Sequence, residues 1–252
     1  MLPLGVVSVT FRALSPREIV DLCVSSGLEC IEWGGDVHVP PGDVARAREV
    51  GQVTRDAGIS VLCYGSYYRC DGSDFSPILE SALELGASRI RVWAGQSESS
   101  DGFERVLEDL TRVSALAQAQ GGEIVLEFHG GTLTHQGQSA RRLLNAGQSH
   151  FASLWQPLRR IVGDEQIEEN VAELRQVVPF LRHVHVYEWH ETQNGKVSLS
   201  LHGSKQWPRY IQELRTLGLE VPLLLEFVPE DAPEVLRREA TALRAMCVSG
   251  GG

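Results

Sequence analysis

The chain has 252 residues, 42% hydrophobic and 22% charged, an ordinary globular composition that excludes a disordered chain and suffices for one large core. Its formal net charge of −10 argues against a nucleic-acid ligand, which needs a basic face. Five cysteines without a CxxC pair point to reduced, buried thiols, and no run approaches the ~18 apolar residues of a membrane span. Met1 leads straight into an apolar run without a basic leader, so a cytoplasmic chain is expected.

Short apolar runs recur from end to end: Leu4–Val9, Cys30–Trp33, Ile59–Tyr64, Arg89–Ala94, Glu123–Phe128, Phe151–Trp155, Leu181–Val186 and Pro222–Val228. Amphipathic segments separate them. Helix starts are expected at Ser15-Pro16-Arg17-Glu18, Ser73/Asp74, Asp101, Asp164 and Ser204, because short polar side chains there can cap the first free N–H groups. Glycine closes several segments, at Gly27, Gly58, Gly86, Gly121 and Gly218. Eight strands alternating with helices imply a parallel sheet buried on both faces. A doubly wound sheet would place a glycine-rich loop after its first strand, where this chain reads Val9-Thr10-Phe11-Arg12. The expectation is one α/β domain over 1–248, a single (β/α)8 barrel, with a flexible tail over 249–252.

In such barrels the chemistry gathers at the carboxyl ends of the strands, so a polar residue closing an apolar run is informative. The fifth run ends Glu127-Phe128-His129, the sixth reaches Gln156, the seventh carries His183, His185 and Glu188, and the eighth holds Glu226. Glu127, Gln156, His185 and Glu226 follow one another at intervals of 29, 29 and 41 residues, with a longer loop over His190–Leu201 absorbing the excess. One βα unit averages about 30 residues, so the four should project from adjacent strands at similar height. Two carboxylates, an imidazole and an amide oxygen there suit one divalent ion, Mn²⁺, Mg²⁺, Co²⁺ or Zn²⁺. His183 lies one layer deeper and is expected to be a hydrogen-bonded core residue. Glu32, Trp33, Asp36 and His38 follow the second strand, Tyr64, Ser66, Tyr67 and Arg69 the third, and Arg91 and Trp93 the fourth. With His129, Glu188 and His202 they could line a pocket for a small sugar or polyol. Trp155 reads as packing, whereas Trp33 and Trp93 could wall the pocket or wedge strand against helix.

The segments "LEFH" (Leu126–His129), "HVHV" (His183–Val186) and "LLLEFV" (Leu223–Val228), and more weakly "IEWGGDVH" (Ile31–His38), resemble the sugar isomerase/epimerase superfamily of xylose isomerase-like TIM barrels. The resemblance covers nearly the whole chain. It implies one divalent metal held by a Glu, an Asp, a His and a second Glu on the fifth to eighth strands. Glu127, His185 and Glu226 match those positions, and Gln156 stands where the family has Asp. An amide can ligate through its carbonyl oxygen but carries no charge.

The resemblance also implies that Glu127 and Glu226 act as an acid/base pair moving a proton between carbons. With His38 or His129 as a relay, the reading is a metal-dependent isomerase or epimerase working through an enediolate. A lyase or dehydratase acting on a keto-polyol begins with the same proton abstraction. An AP-endonuclease-like barrel would need further His and Asp ligands and a basic groove, and a non-catalytic sugar-binding or partner-binding barrel would be told apart by its metal content. The loop after the seventh strand lacks the Arg that often grips a substrate oxygen, leaving His202 and Lys205 as the nearest basic groups. No membrane partner is expected, and a homo-oligomer is left open.

Overall fold

All eight apolar runs become strands of one closed parallel barrel: β1 (Leu4–Val7), β2 (Cys30–Gly34), β3 (Ser60–Tyr68), β4 (Arg89–Val92), β5 (Glu123–Leu126), β6 (Ala152–Trp155), β7 (Leu181–Val186) and β10 (Leu223–Leu225). A two-stranded antiparallel hairpin, β8 (Trp189–Thr192) with β9 (Gly195–Ser198), stands outside it. The computed structural model describes residues 2–96, 102–148, 150–157, 164–192 and 195–248. The expected cap Asp101 and the tail over 249–252 lie outside the described residues, as does the Asp164 side chain. Closure comes from β10 returning to β1, with Leu4 opposite Leu223 and Val6 opposite Leu225.

The helices are α1 (Pro16–Ser26), α2 (Val44–Asp56), α3 (Ser76–Leu85), α4 (Phe103–Gln118), α5 (Gly137–Ala146), α6 (Asp164–Val177), α7 (Gln206–Thr216) and α8 (Leu236–Val248). Ser15 and Glu18 form the expected reciprocal cap on α1, where Pro16 loses no useful N–H, and Gly27 ends the helix at φ 65°. Two caps fall ahead of their helices: Asp74 accepts from the Ser76 N–H at 3.0 Å, and Ser204 from the Trp207 N–H at 3.2 Å. Among the described residues, no helix is long and apolar enough to cross a membrane.

Strand alternation sorts the side chains. On β2, Trp33 points to the helix layer, its Nε1–H donating to Thr54 of α2 at 3.2 Å, so Glu32 faces the barrel interior. Trp155 of β6 packs edge-to-face on Trp207 and Tyr210 of α7, as a wedge between layers.

Several strands stop short of their apolar runs: β1 gives way to a 3-10 turn over Ser8–Phe11, β5 ends at Leu126 and β10 at Leu225. Apolarity records burial rather than ladder pairing, and Phe128 and Val228 stay buried beyond the ladder. Glu127, Gln156 and Glu226 are therefore each the first residue past a strand, where the backbone can turn a side chain over the mouth. β3 runs on to Tyr68 through a register shift after Gly65, and within it Tyr67 has φ 59°. The hairpin occupies what reads as a long loop in the sequence.

Candidate functional site

Two of the strand-end glutamates are joined by a continuous chain of charged groups inside the barrel mouth. Arg91, from β4, donates to Glu127 through a terminal guanidinium nitrogen and to Glu32 through Nε at 2.6 Å. The other Glu32 oxygen meets Nε2 of His185 at 3.0 Å and Nε2 of His183 at 3.2 Å. Nδ1 of His185 lies 3.6 Å from Glu226. Glu32, His183 and His185 are completely buried, and Arg91 nearly so. Ordinary strand geometry suffices for this, since each residue is inward-facing on its own strand.

Burial on its own would neutralise these groups, but their mutual charges outweigh it. Burial raises Glu32, yet Arg91, His185 and the hydrogen bonds from both histidines hold it well below the usual carboxylate range. Burial likewise opposes ionisation of Glu127, which Arg91, the nearby histidines and the Trp93 N–H nonetheless keep below its ordinary value. His185 lies between two carboxylates, so against the effect of burial it is pushed up to about 10. His183 goes the other way, lowered by burial to about 4, the neutral core histidine its depth implies.

Gln156 is buried at the same level. Its Nε2–H donates to the Phe128 carbonyl at 2.7 Å and leans toward Glu127 Oε1 at 3.4 Å, which leaves Oε1 of Gln156 buried without a hydrogen-bond partner. His185 Nδ1, by contrast, faces the Glu226 carboxylate. Buried polar atoms are seldom left without a partner, and an amide oxygen is a lone-pair donor of the kind a divalent cation takes. Another trio, Glu32, Cys63 and His183, brings possible ligand atoms within 4.8 Å of one another. It suits a cation poorly. The Arg91 guanidinium already occupies its carboxylate, and burial with the Glu32 charge pushes the Cys63 thiol far from ionisation.

The remaining expected residues divide. Trp93 and His129 join the cluster: the Trp93 N–H donates to Glu127, and His129 stacks on its ring at 4.6 Å. Tyr67 lies over the Arg91 guanidinium at 4.9 Å and edge-on to Trp93, and Arg69 covers the Trp93 ring at 4.1 Å. Ser66 donates to the Arg91 carbonyl at 2.7 Å, a buried backbone tie.

His38, expected as a proton relay, has both ring nitrogens engaged elsewhere, by Ser8 at 3.0 Å and the Leu14 carbonyl at 3.2 Å. Trp33 and Tyr64 are packing residues rather than pocket walls, since both are fully buried, Trp33 on Thr54 and the Tyr64 hydroxyl on the Val39 carbonyl at 2.8 Å. Glu32 is fully buried, its oxygens held by Arg91, His183 and His185. Glu188 spends its oxygens on Ser204 and Gln206 at the start of α7, at 2.5 and 2.8 Å. His202 faces a surface groove with Glu234, Arg237 and Arg238 of the α8 region. Asp36 forms a rim ion pair with Arg12 at 2.6 Å. A cavity of about 750 Å³ adjoins the mouth beside α4, lined by Arg69, Gly95, Arg105, Asp109 and Arg112.

The sequence did not reveal Arg91 as the link between Glu32 and Glu127. One signal was available in Gly65: a Cβ there would collide with the Arg91 guanidinium and stand 3.0 Å from Glu32 Oε1. Only glycine admits that close approach.

The fold is shared with solved structures of low sequence identity. The probable 3-DHS dehydratase AsbF, involved in petrobactin synthesis, from Bacillus anthracis is 18% identical with a TM-score of 0.79, covering 97% of this chain and 99% of its own. A xylose isomerase-like TIM barrel protein from Mycobacterium smegmatis, solved in complex with magnesium, is 13% identical with a TM-score of 0.72, covering 100% and 98%. D-Allulose 3-epimerase from Methylomonas sp. is 13% identical with a TM-score of 0.70, covering 98% of each chain. No curated protein matches the sequence significantly. The family model of the xylose isomerase-like TIM barrel matches residues 20–246, and the chain belongs to that family.

Proposed function

We propose that this barrel is a divalent-metal-dependent enzyme that moves a proton on the carbon beside a carbonyl in a small sugar or sugar-like polyol, as an isomerase or epimerase. The observation that carries the reading is the buried, unpartnered Gln156 Oε1, on a side chain beside Glu127, with His185 facing Glu226 on the next two strands. Glu127, Gln156, His185 and Glu226 would hold the ion. Mn²⁺, Mg²⁺, Co²⁺ and Zn²⁺ all accept such donors. When bound, it supplies Lewis-acid stabilisation of negative charge on substrate oxygens.

The chain's own groups supply the rest. Glu226, facing His185 at the mouth, is placed to take a proton, and Glu127 is the second carboxylate. Arg91 and Trp93 fix Glu127 in its ionised form, while Trp93, Tyr67 and His129 offer apolar faces to substrate C–H groups. The epimerase and the magnesium-bound barrel among the similar folds support this reading.

A dehydratase acting on a keto-polyol is the second reading, and a specific asymmetry favours it. Glu127 carries both Arg91 and Trp93, whereas His185 faces Glu226, so the carboxylates are unequal. Elimination needs one strong base, while epimerisation uses two. The likeness to AsbF points the same way.

The test is to incubate metal-loaded protein with a panel of keto-sugars and keto-polyols in D₂O and follow the products by NMR and mass spectrometry. An isomerase or epimerase conserves the substrate skeleton and places deuterium beside the carbonyl. A dehydratase yields an unsaturated carbonyl with loss of water. Neither product with any of the four metals would overturn both readings.

A further inference from the structure

We infer that Glu32 is a positioning residue: paired with Arg91, it holds the His185 ring and the Glu127 carboxylate in place at the barrel mouth. The inference rests on the metal site proposed above and concerns a residue that touches neither ion nor substrate. Both Glu32 oxygens are taken, one by Arg91 and the other by the two histidines, which leaves neither for a ligand.

Its two oxygens divide the work. Oε2 meets Nε2 of His185 at 3.0 Å, and that contact would keep the Nε2 proton in place when a cation takes Nδ1. Nδ1, 3.6 Å from Glu226, is then the nitrogen that would release its proton to ligate a cation. A carboxylate behind a ligating histidine fixes the tautomer and the ring orientation in this way. His183 donates to the same oxygen at 3.2 Å and holds the carboxylate from below.

Oε1 holds Arg91 through Nε at 2.6 Å, and the far side of the same planar guanidinium holds Glu127. The guanidinium fork is rigid, so fixing one edge fixes the other. One buried carboxylate thereby orients groups on β5 and β7, with Gly65 clearing the space for the Arg91 head. A purely structural role explains the pair less well. Buried ion pairs contribute little net stability relative to well-packed apolar residues.

The test is calorimetric titration of metal-free protein with Co²⁺, comparing wild type, Glu32→Gln and Glu32→Asp. Wild type should bind close to one ion. Glu32→Gln should bind with unchanged stoichiometry but affinity lowered by about 10–100-fold, the usual cost of losing such a partner. Glu32→Asp, which keeps the charge, should recover part of that loss. A ¹⁵N NMR spectrum of the Zn²⁺-loaded wild type should show His185 protonated at Nε2 and ligated through Nδ1, and it decides the matter alone if the variants do not fold. Equal affinity in wild type and Glu32→Gln, or a proton on Nδ1, overturns the positioning role and leaves the metal site standing. No Co²⁺ uptake by wild type overturns the metal site and this inference with it.

Discussion

Arg91 and Glu32 meet at 2.6 Å on side chains that are 3% and 0% exposed, a fully buried ion pair bridging β4 and β2. Arg91→Met would leave the Glu32 and Glu127 carboxylates without their cation in a low-dielectric interior. The expected loss of stability is about 3–5 kcal/mol, the range for breaking a buried pair from one side. Urea denaturation of the metal-free protein measures it. A loss under about 1 kcal/mol would mean that water or another cation already reaches these carboxylates.

Gln156 supplies the second prediction. Its amide is held by the Phe128 carbonyl with Oε1 unpartnered, so the position is pre-oriented to ligate but contributes no charge. Gln156→Asp adds one negative charge at that point, although the shorter side chain gives up the Phe128 bond. Co²⁺ and Mn²⁺ affinity should rise by about tenfold or more, as the gain of a charged ligand over a neutral one implies. Unchanged affinity in a folded variant would place Gln156 outside the ligand set.

The two strand-end carboxylates should separate binding from turnover. Glu226→Gln and Glu127→Gln each keep a ligating oxygen while removing a base. Turnover of an active substrate should fall by ~10²–10⁴-fold with partial metal retention. An effect confined to Glu226→Gln would select the single-base dehydratase reading, and full activity in both variants would remove the pair from the chemistry.

A pH dependence follows from His185. In the metal-free protein its pKa is raised to about 10, against about 6.5 for an ordinary histidine. The folded state binds this proton more tightly, so the stabilisation is fully present below about 6.5 and is lost as pH climbs toward 10. His183, lowered to about 4 by burial, acts oppositely and weakens the fold as pH drops from 6.5 toward 4. Metal-free protein should therefore melt at progressively lower temperature as pH rises from about 6.5 to 8.5, and His185→Gln should flatten that limb. Calorimetric Tm values across this range check it. A flat wild-type limb would mean that His185 is neutral without metal.

The sequence displays what depends on local pattern. All eight strands were legible, and Gly27, Gly58, Gly86, Gly121 and Gly218 all adopt the positive φ that a helix-ending glycine supplies. The strand-end position of Glu127, Gln156 and Glu226, each the first residue past its strand, shows in the sequence because each closes or nearly closes an apolar run. What was hidden depends on pairing across the barrel. Glu32 and Arg91 are 59 residues apart, and no local periodicity records that they meet. The alternation Ile31-Glu32-Trp33 already implied that Glu32 faces inward if Trp33 faces the helices, but not how deep it would lie. His38 and Tyr64 read as pocket residues because a polar tip looks the same whether it meets a ligand or, as here, the backbone.

The most direct measurement is an anomalous-difference map from crystals of the protein soaked in Mn²⁺. One peak is expected within ligand distance of Gln156 Oε1 and His185 Nδ1, with Glu127 and Glu226 completing its shell. A peak on Glu32, Cys63 and His183 instead, or no peak near the mouth at saturating Mn²⁺, would contradict a metal centre built on the strand-end residues.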